Sequence, residues 1–286
     1  MLAIFDRMTL TMVSGISFSD AVTALSDLLF PRTCPVCGRL LALRERFICT
    51  DCLADLPRTH FTAMSRNQMS SRFNALVQRD LDGLPFDRLR DRNVMPGSDR
   101  ASGAPPYSYA TALFFYRTST GYPDITRHLK YHADLGLGRH FASILGRGMA
   151  GSPLFSDVDI VIPVPLHWTR RWSRGYNQAE VIASVLADCL GAALHTDILY
   201  RTRRTKTQTR LSLEEKARNV SGAFRVRRSF LRSMGRDGRS GNPAHILLVD
   251  DVFTTGATLH ACYRALRTVF SVQVRISVAT LACVGQ

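Results

Sequence analysis

Apolar residues fall into short uninterrupted runs that alternate with longer helical periodicities, and this pattern predicts an α/β protein. The runs at 110–116 (ATALFFY), 158–164 (VDIVIPV) and 246–249 (ILLV) are rich in β-branched and aromatic residues and read as buried strands. Residues 125–131 and 141–149 have helical spacing, and 179–190 places Val181, Ile182, Val185, Leu186, Cys189 and Leu190 on a helix. A further amphipathic run covers 259–269. Strands that feed helices imply a mainly parallel sheet with flanking helices. Near the start, 19–30 puts Ala21, Leu25, Leu28 and Leu29 on one helical face, expected to dock on the cysteine knuckles described below. Residues 58–84 show little periodicity, and 85–106, rich in Arg, Asp, Pro, Gly and Ser, read as a surface loop or linker. No internal repeat occurs.

The chain has 286 residues, enough for a full core and about two domains by the usual ~150-residue yardstick. Its apolar share of 45% is ordinary for a globular protein and argues against wholesale disorder. Lysine and arginine total 37 against 23 acids, a net charge of +14, which favours anionic partners: phosphorylated metabolites or nucleic acid. The surplus concentrates at 201–210 and 225–239. No apolar stretch approaches the ~20 residues that span a bilayer. Asp6 and Arg7 interrupt the apolar start, and no small-residue cleavage site follows, so we expect a soluble, cytoplasmic protein with an N-terminal tail.

Four of the seven cysteines form two C-x2-C pairs, Cys34 with Cys37 and Cys49 with Cys52. Each pair folds as a knuckle that aims two thiolates at one metal, and two knuckles complete a tetrahedral structural zinc site with no open position for catalysis. The segment 40–48 is expected to form a short hairpin between them. The rival reading, redox pairs or disulfides, fits poorly with two pairs this close in a cytosolic chain. Cys189, Cys262 and Cys283 sit in apolar patterns and read as reduced core residues.

The richest segment is 245–259, HILLVDDVFTTGATL. A buried strand runs into Asp250 and Asp251, read as an acidic turn. The loop Thr254, Thr255, Gly256, Ala257 and Thr258 then leads into a helix. The C-terminal edge of a parallel strand with a helix N-terminus behind it suits a phosphate. The loop offers backbone N–H groups and three threonine hydroxyls, and Gly256 permits close approach. The acids would be repelled by that phosphate but suit sugar hydroxyls or a divalent cation. Phosphate on one side and vicinal hydroxyls on the other describe a ribose 5-phosphate. A solvated turn before a capped helix would need one capping residue, far less than this segment supplies.

A second loop follows the strand at 158–164. Pro163, Val164 and Pro165 stiffen it, and Arg170, Arg171 and Arg174 follow closely enough to fork around phosphate oxygens. Standing alone, it reads equally as a solvated basic loop. Beside the acid segment, it offers a second candidate anion site.

The acid pair followed by a Thr/Gly-rich loop resembles the phosphoribosyl-pyrophosphate (PRPP) motif of type I phosphoribosyltransferases. The order CPVCG, C-x2-C, HLKYHADLGLGRHFA, VIPVPLHWTRRWSRGYNQAE, RTRRTKTQTRLSLEEKARNVSGAF and ILLVDDVFTTGATL resembles the ComF family, competence-associated and gluconate-utilisation-associated proteins that pair a zinc finger with a phosphoribosyltransferase-like domain. The resemblance covers about 30–55 and 107–284; the long N-terminus, 85–106 and 227–242 depart from it. It implies that Asp250 and Asp251 meet the ribose hydroxyls and Mg²⁺. It also implies that 254–258 cradle the 5-phosphate and 164–174 form the pyrophosphate loop. Arg201 and the basic residues to 210 lie where that fold carries a mobile flap; a nucleic-acid contact strip is the competing reading, weakened by the lack of a stacking aromatic.

The expected organisation is a tail and helix (1–29), a four-cysteine zinc domain (30–60), a weakly patterned segment (61–106) and a type I phosphoribosyltransferase-like domain (107–286). The expected activity is a pentosyltransferase reaction, displacement of pyrophosphate at ribose C1 of Mg²⁺-bound PRPP by an unidentified acceptor. Asp250 and Asp251 would hold the sugar, and Arg170, Arg171 and Arg174 the leaving group. The alternative is a non-catalytic PRPP sensor or a nucleic-acid-binding or helicase-partner protein of DNA uptake. Lys130 reads as a helix-surface lysine, with a charge facing the site as the lesser alternative; His167, near the arginines, could donate a proton but reads as a surface hydrogen-bonding residue.

Overall fold

In the computed structural model, which describes residues 18–82, 105–202, 222–227 and 243–285, the chain opens with helix α1 (Phe18–Leu29). Contacts divide the chain into two units, Met1–Asp55 and Leu56–Gln286. Helix α1 stops at Leu29, two residues before Pro31, whose ring disfavours helical backbone at Phe30. In the first unit the expected docking of α1 through its leucines does not occur: Leu25, Leu28 and Leu29 are exposed. The helix is tied by charge instead. Arg32 grips both carboxylate oxygens of Asp27 at 2.7 Å and donates to the Glu45 carbonyl at 2.7 Å. The small buried set of Cys34, Leu41, Ile48 and Cys49 leaves little apolar surface for leucines to meet.

Nor does a hairpin form across 40–48; pairing is limited to one bridge, Thr33 with Leu40. Glu45 organises the segment in its place. Its carboxylate accepts from Ala42 N at 2.8 Å, Thr50 N at 2.7 Å and the Thr50 hydroxyl at 2.9 Å. Those N–H groups hold its carboxyl down to about 2. Helix α2 (Thr50–Ala54) follows directly.

The second unit begins with a 3-10 turn (Phe61–Ala63) and helix α3 (Gln68–Asp82), which falls within the weakly patterned stretch. Its apolar stripe is narrow. Met69, Phe73 and Val77, spaced four apart, are buried while most neighbours are polar, so the helix forms through packing more than through propensity. Then come β1 (Ala110–Tyr116), α4 (Pro123–Tyr131), α5 (Leu135–Ala150) and β2 (Ile160–Pro163). Helices α6 (Trp168–Arg174) and α7 (Gln178–Leu190) lead to β3 (Ala193–Leu194) and β4 (Leu199–Arg201). The chain closes with β5 (Phe224–Val226), β6 (His245–Phe253), α8 (Ala257–Arg267) and β7 (Arg275–Val284).

Five strands form a parallel sheet in the order β1-β7-β6-β2-β3, as the α/β reading expected, while β4 and β5 pair antiparallel beside it. Side chains alternate between faces. Ile246 and Leu248 of β6 join the core with Phe73 of α3 and Leu259, Cys262 and Leu266 of α8. Leu247 and Val249 point to the opposite face and are fully buried there. Cys262 and Cys283 are buried in reduced form, and Cys189 is partly covered.

At the N-terminal edge of the sheet, buried His245 bonds through Nδ1 to Asp157 Oδ1 at 2.7 Å and through Nε2 to Ser277 Oγ at 2.7 Å. Among the described residues no helix is long and apolar enough to cross a membrane.

Candidate functional site

In the first unit, the Sγ atoms of Cys34, Cys37, Cys49 and Cys52 all lie within 4.8 Å of one another. Cys37 and Cys49 are 3.8 Å apart, the edge of a tetrahedron with Zn–S bonds of about 2.3 Å. Burial opposes ionisation of Cys34, yet N–H groups of Cys49, Cys37 and Val36 bring its thiol down to about 7, and a bound cation would complete that ionisation. Soft thiolates in this arrangement make a four-cysteine zinc-binding site. Arg39 braces it from outside, pairing with Asp51 at 2.6 Å and Glu45 at 3.1 Å.

In the second unit, the two predicted anion segments leave the sheet from neighbouring strands. Pro163 of β2 pairs with Val249 of β6, and Val164 N donates to Val249 O at 2.8 Å. Val164 and Pro165 therefore stand beside Asp250 and Asp251 at the C-terminal edge, where an open parallel sheet binds ligands. Asn177, the N-cap of α7, pins this loop by donating from Nδ2 to Val164 O at 3.0 Å.

The acid pair is not a turn. Strand β6 runs on through Phe253, so neighbouring side chains diverge. Asp250 continues the face of Ile246 and Leu248, beneath α3, α8 and the β4–β5 pair; Asp251 continues the face of Leu247 and Val249. The Asp251 N–H donates to Asp250 Oδ1 at 2.9 Å, which fixes Asp250 locally. Burial first, then the neighbouring Asp251 charge, push the Asp250 carboxyl up to about 7. Lys130 and Arg201 act the other way, favouring its ionised form.

Lys130 corrects an expectation. It does not lie on an open helix surface: Nζ sits 2.8 Å from Asp251 Oδ2, with 28% of the lysine and 12% of the aspartate side chain exposed. Burial opposes its charge, but Asp251 holds it above the ordinary lysine range. The apolar spacing of Ile125 and Leu129 placed the helix, but the distant partner left no local mark on the sequence.

Thr254 is exposed, and Thr255 and Thr258 are partly so. Gly256 is the N-cap of α8, in left-handed backbone at φ 81°, and offers no side chain to the first turn. Thr255 Oγ1 accepts from Ala257 N at 3.3 Å. Such a glycine turn aims backbone N–H groups outward, as an anion cradle requires. Arg72 of α3, which the sequence did not single out, fixes the loop. It donates to the Thr254 carbonyl and, at 2.9 Å, to Val284 O, with its guanidinium 5.3 Å from the Phe253 ring centre.

The arginine segment is helical. Arg170, Arg171 and Arg174 belong to α6, which ends at Gly175 in left-handed backbone. Arg171 reaches Glu180 at 3.4 Å, and Arg174 stacks 5.2 Å over the Tyr131 ring, so these two turn to separate protein partners. His167 is buried as the N-cap of α6, its Nδ1 2.9 Å from Thr169 Oγ1, a correction to the surface reading. Tyr176 donates its hydroxyl to the Leu129 carbonyl. Leu129, Lys130 and Tyr131 thus touch Tyr176, Asp251 and Arg174 in turn. Of the basic run, Arg201 lies on β4, 5.2 Å from the Phe224 ring centre; 203–210 lie outside the described residues.

A double zinc ribbon domain model matches residues 25–62. The chain is 36% identical over 116 residues to the DNA utilization protein YhgH of Salmonella typhi, covering 41% of this chain and 45% of that protein. It is 35% identical over 109 residues to competence protein F of Haemophilus influenzae, covering 38% and 44%. It is 29% identical over 107 residues to competence protein ComFC of Bacillus subtilis, covering 37% and 38%. Each match spans less than half of the relative's length. These relatives bear out the resemblance to the ComF family.

Proposed function

We propose that this protein binds PRPP and displaces its pyrophosphate, with a role in DNA uptake and in the cytoplasm. One observation carries the reading: the stiff loop at 163–165 and the acid pair leave adjacent strands, with the glycine-turned loop at 254–258 following directly. The anionic ends of one sugar phosphate would find donors on both sides of two carboxylates. The 5-phosphate takes the N–H groups and hydroxyls of Thr254, Thr255, Gly256, Ala257 and Thr258. Asp250 and Asp251 receive the ribose hydroxyls. Pro163, Val164 and Pro165 border the pyrophosphate, with Arg170, Arg171 and Arg174 on the following helix; Arg171 and Arg174 would have to exchange Glu180 and Tyr131 for phosphate oxygens.

Two carboxylates suit Mg²⁺, which takes few protein ligands and fills its shell with substrate oxygens and water. When bound, it neutralises pyrophosphate charge. In the displacement, an acceptor lone pair forms a bond to C1 as the C1–O bond to pyrophosphate breaks and the electron pair leaves with pyrophosphate. The carboxylates favour the positive charge that builds on the ribose ring. DNA-related names among the relatives support the uptake role.

A second reading, a nucleic-acid-binding protein in which PRPP only regulates, draws on α6. The chain's two tryptophans, Trp168 and Trp172, lie one turn apart there, 66% and 84% exposed beside arginines. Bases stack on such rings. Pyrophosphate release from Mg·PRPP across a panel of nucleobases tests the first reading: base-dependent release supports it. Binding without release under every base, together with DNA binding lost on Trp168→Ala plus Trp172→Ala, would select the second.

A further inference from the structure

The two acids are held by different means. Asp250 is fixed by the backbone N–H of its neighbour, whereas Asp251 is held by a lysine from another element, α4, across the sheet edge. With Nζ at 2.8 Å, the ammonium stands where a cation coordinated by Asp251 would stand. We propose that Lys130 is the built-in counter-ion of the acid pair and competes with divalent metal for Asp251, so that metal enters only in company with a polyphosphate that can take over the lysine. The proposal rests on the PRPP reading for the identity of that polyphosphate, and on the ion pair alone for the competition.

Three features support it. Mg²⁺ strips its water reluctantly and binds through one or two carboxylates plus substrate oxygens. A pair in which one carboxylate is already neutralised offers too little to hold the bare ion. Second, the lysine is long and terminal on its helix: α4 ends at Tyr131, one residue later, so Nζ can swing without disturbing buried Leu129. Third, the adjoining residues tie this turn to the pyrophosphate side. Tyr176 bonds Leu129 O, and Arg174 lies over Tyr131. A phosphate arriving near α6 would meet the lysine on the same turn of chain. Lys130 is then a positioning residue, which keeps Asp251 oriented and discharged until substrate arrives.

The test uses the full-length, zinc-loaded protein and Mn²⁺ alone as probe, with free Mn²⁺ read by electron paramagnetic resonance and no PRPP present. Lys130→Gln should bind Mn²⁺ about tenfold more tightly than wild type, the change expected from freeing one carboxylate. Lys130→Arg should behave as wild type. The gain should vanish when Asp251→Asn is added. Lys130→Met, which keeps the aliphatic stem, repeats the measurement should Lys130→Gln fold poorly. Equal or weaker Mn²⁺ binding by the lysine variants, or a gain that survives Asp251→Asn, overturns the proposal. A separate Mg·PRPP titration into wild type reads the PRPP assignment, so the two failures are distinct.

Discussion

The ring of Phe253 lies directly against Gly256: a Cβ built on the glycine would fall 2.8 Å from Cζ and 3.0 Å from Cε2. The contact joins the end of the central strand to the loop proposed to hold the 5-phosphate, and it leaves that position to glycine. At φ 81° an alanine would also be strained by its own backbone. Gly256→Ala should therefore cost about 1–3 kcal/mol of stability and weaken Mg·PRPP binding. Urea unfolding checks the first part; an unchanged midpoint would contradict it.

Arg72 holds the same loop from below, through the Thr254 and Val284 carbonyls. Arg72→Met should weaken Mg·PRPP binding about tenfold, since the loop loses its anchor. Arg72→Lys should recover only part, because an ammonium cannot reproduce the planar fork that reaches two carbonyls. Titration calorimetry of both variants decides it, and full recovery by lysine would show that charge alone matters.

Burial holds His245 below the ordinary histidine range, against the pull of Asp157 and Asp159 and with help from Arg275. The folded state thus prefers the neutral ring. Its contribution is fully present above the unfolded value, about 6.5, and is lost as pH falls from there towards the lower folded value. Thermal melts between pH 7.5 and 5 should show stability falling with acid, with a shallower slope in His245→Gln. Parallel slopes in the two proteins would place the acid sensitivity elsewhere.

Removing one thiolate from the cysteine cluster should release the metal. Cys34→Ser should lose bound zinc and leave 32–54 open to proteolysis, since four buried side chains cannot hold that segment without it. Metal analysis with limited trypsin digestion checks both, and undiminished zinc would rule the site out. Glu45→Ala should keep the ligands but surrender zinc to a chelator faster, because Ala42 and Thr50 lose their common acceptor.

Strands and long helices were legible because their periodicities are local: 110–116 became β1 without change, and 179–190 became α7 to within a residue. The four cysteines were likewise readable from spacing, as was the position of 163–165 and 254–258 at the ends of β2 and β6. Relations set by distant contacts were not. Lys130 meets Asp251 only because the fold lays the end of α4 beside β6, and Arg72 meets Thr254 only because α3 packs under α8. The acid pair read as a turn because charges rarely continue a central strand, yet β6 carries them to Phe253 with Asp250 partly desolvated. The leucines of α1 read as a docking face because periodicity cannot show whether a partner surface exists.

Titration calorimetry of Mg·PRPP into wild type and into the Asp250→Asn plus Asp251→Asn variant tests the central claim most directly. Saturable binding by the wild type, with affinity lost in the variant while its zinc and melting behaviour are retained, is the expected result. Equal heats in both proteins, or none in the wild type, would contradict a sugar phosphate seated on the acid pair.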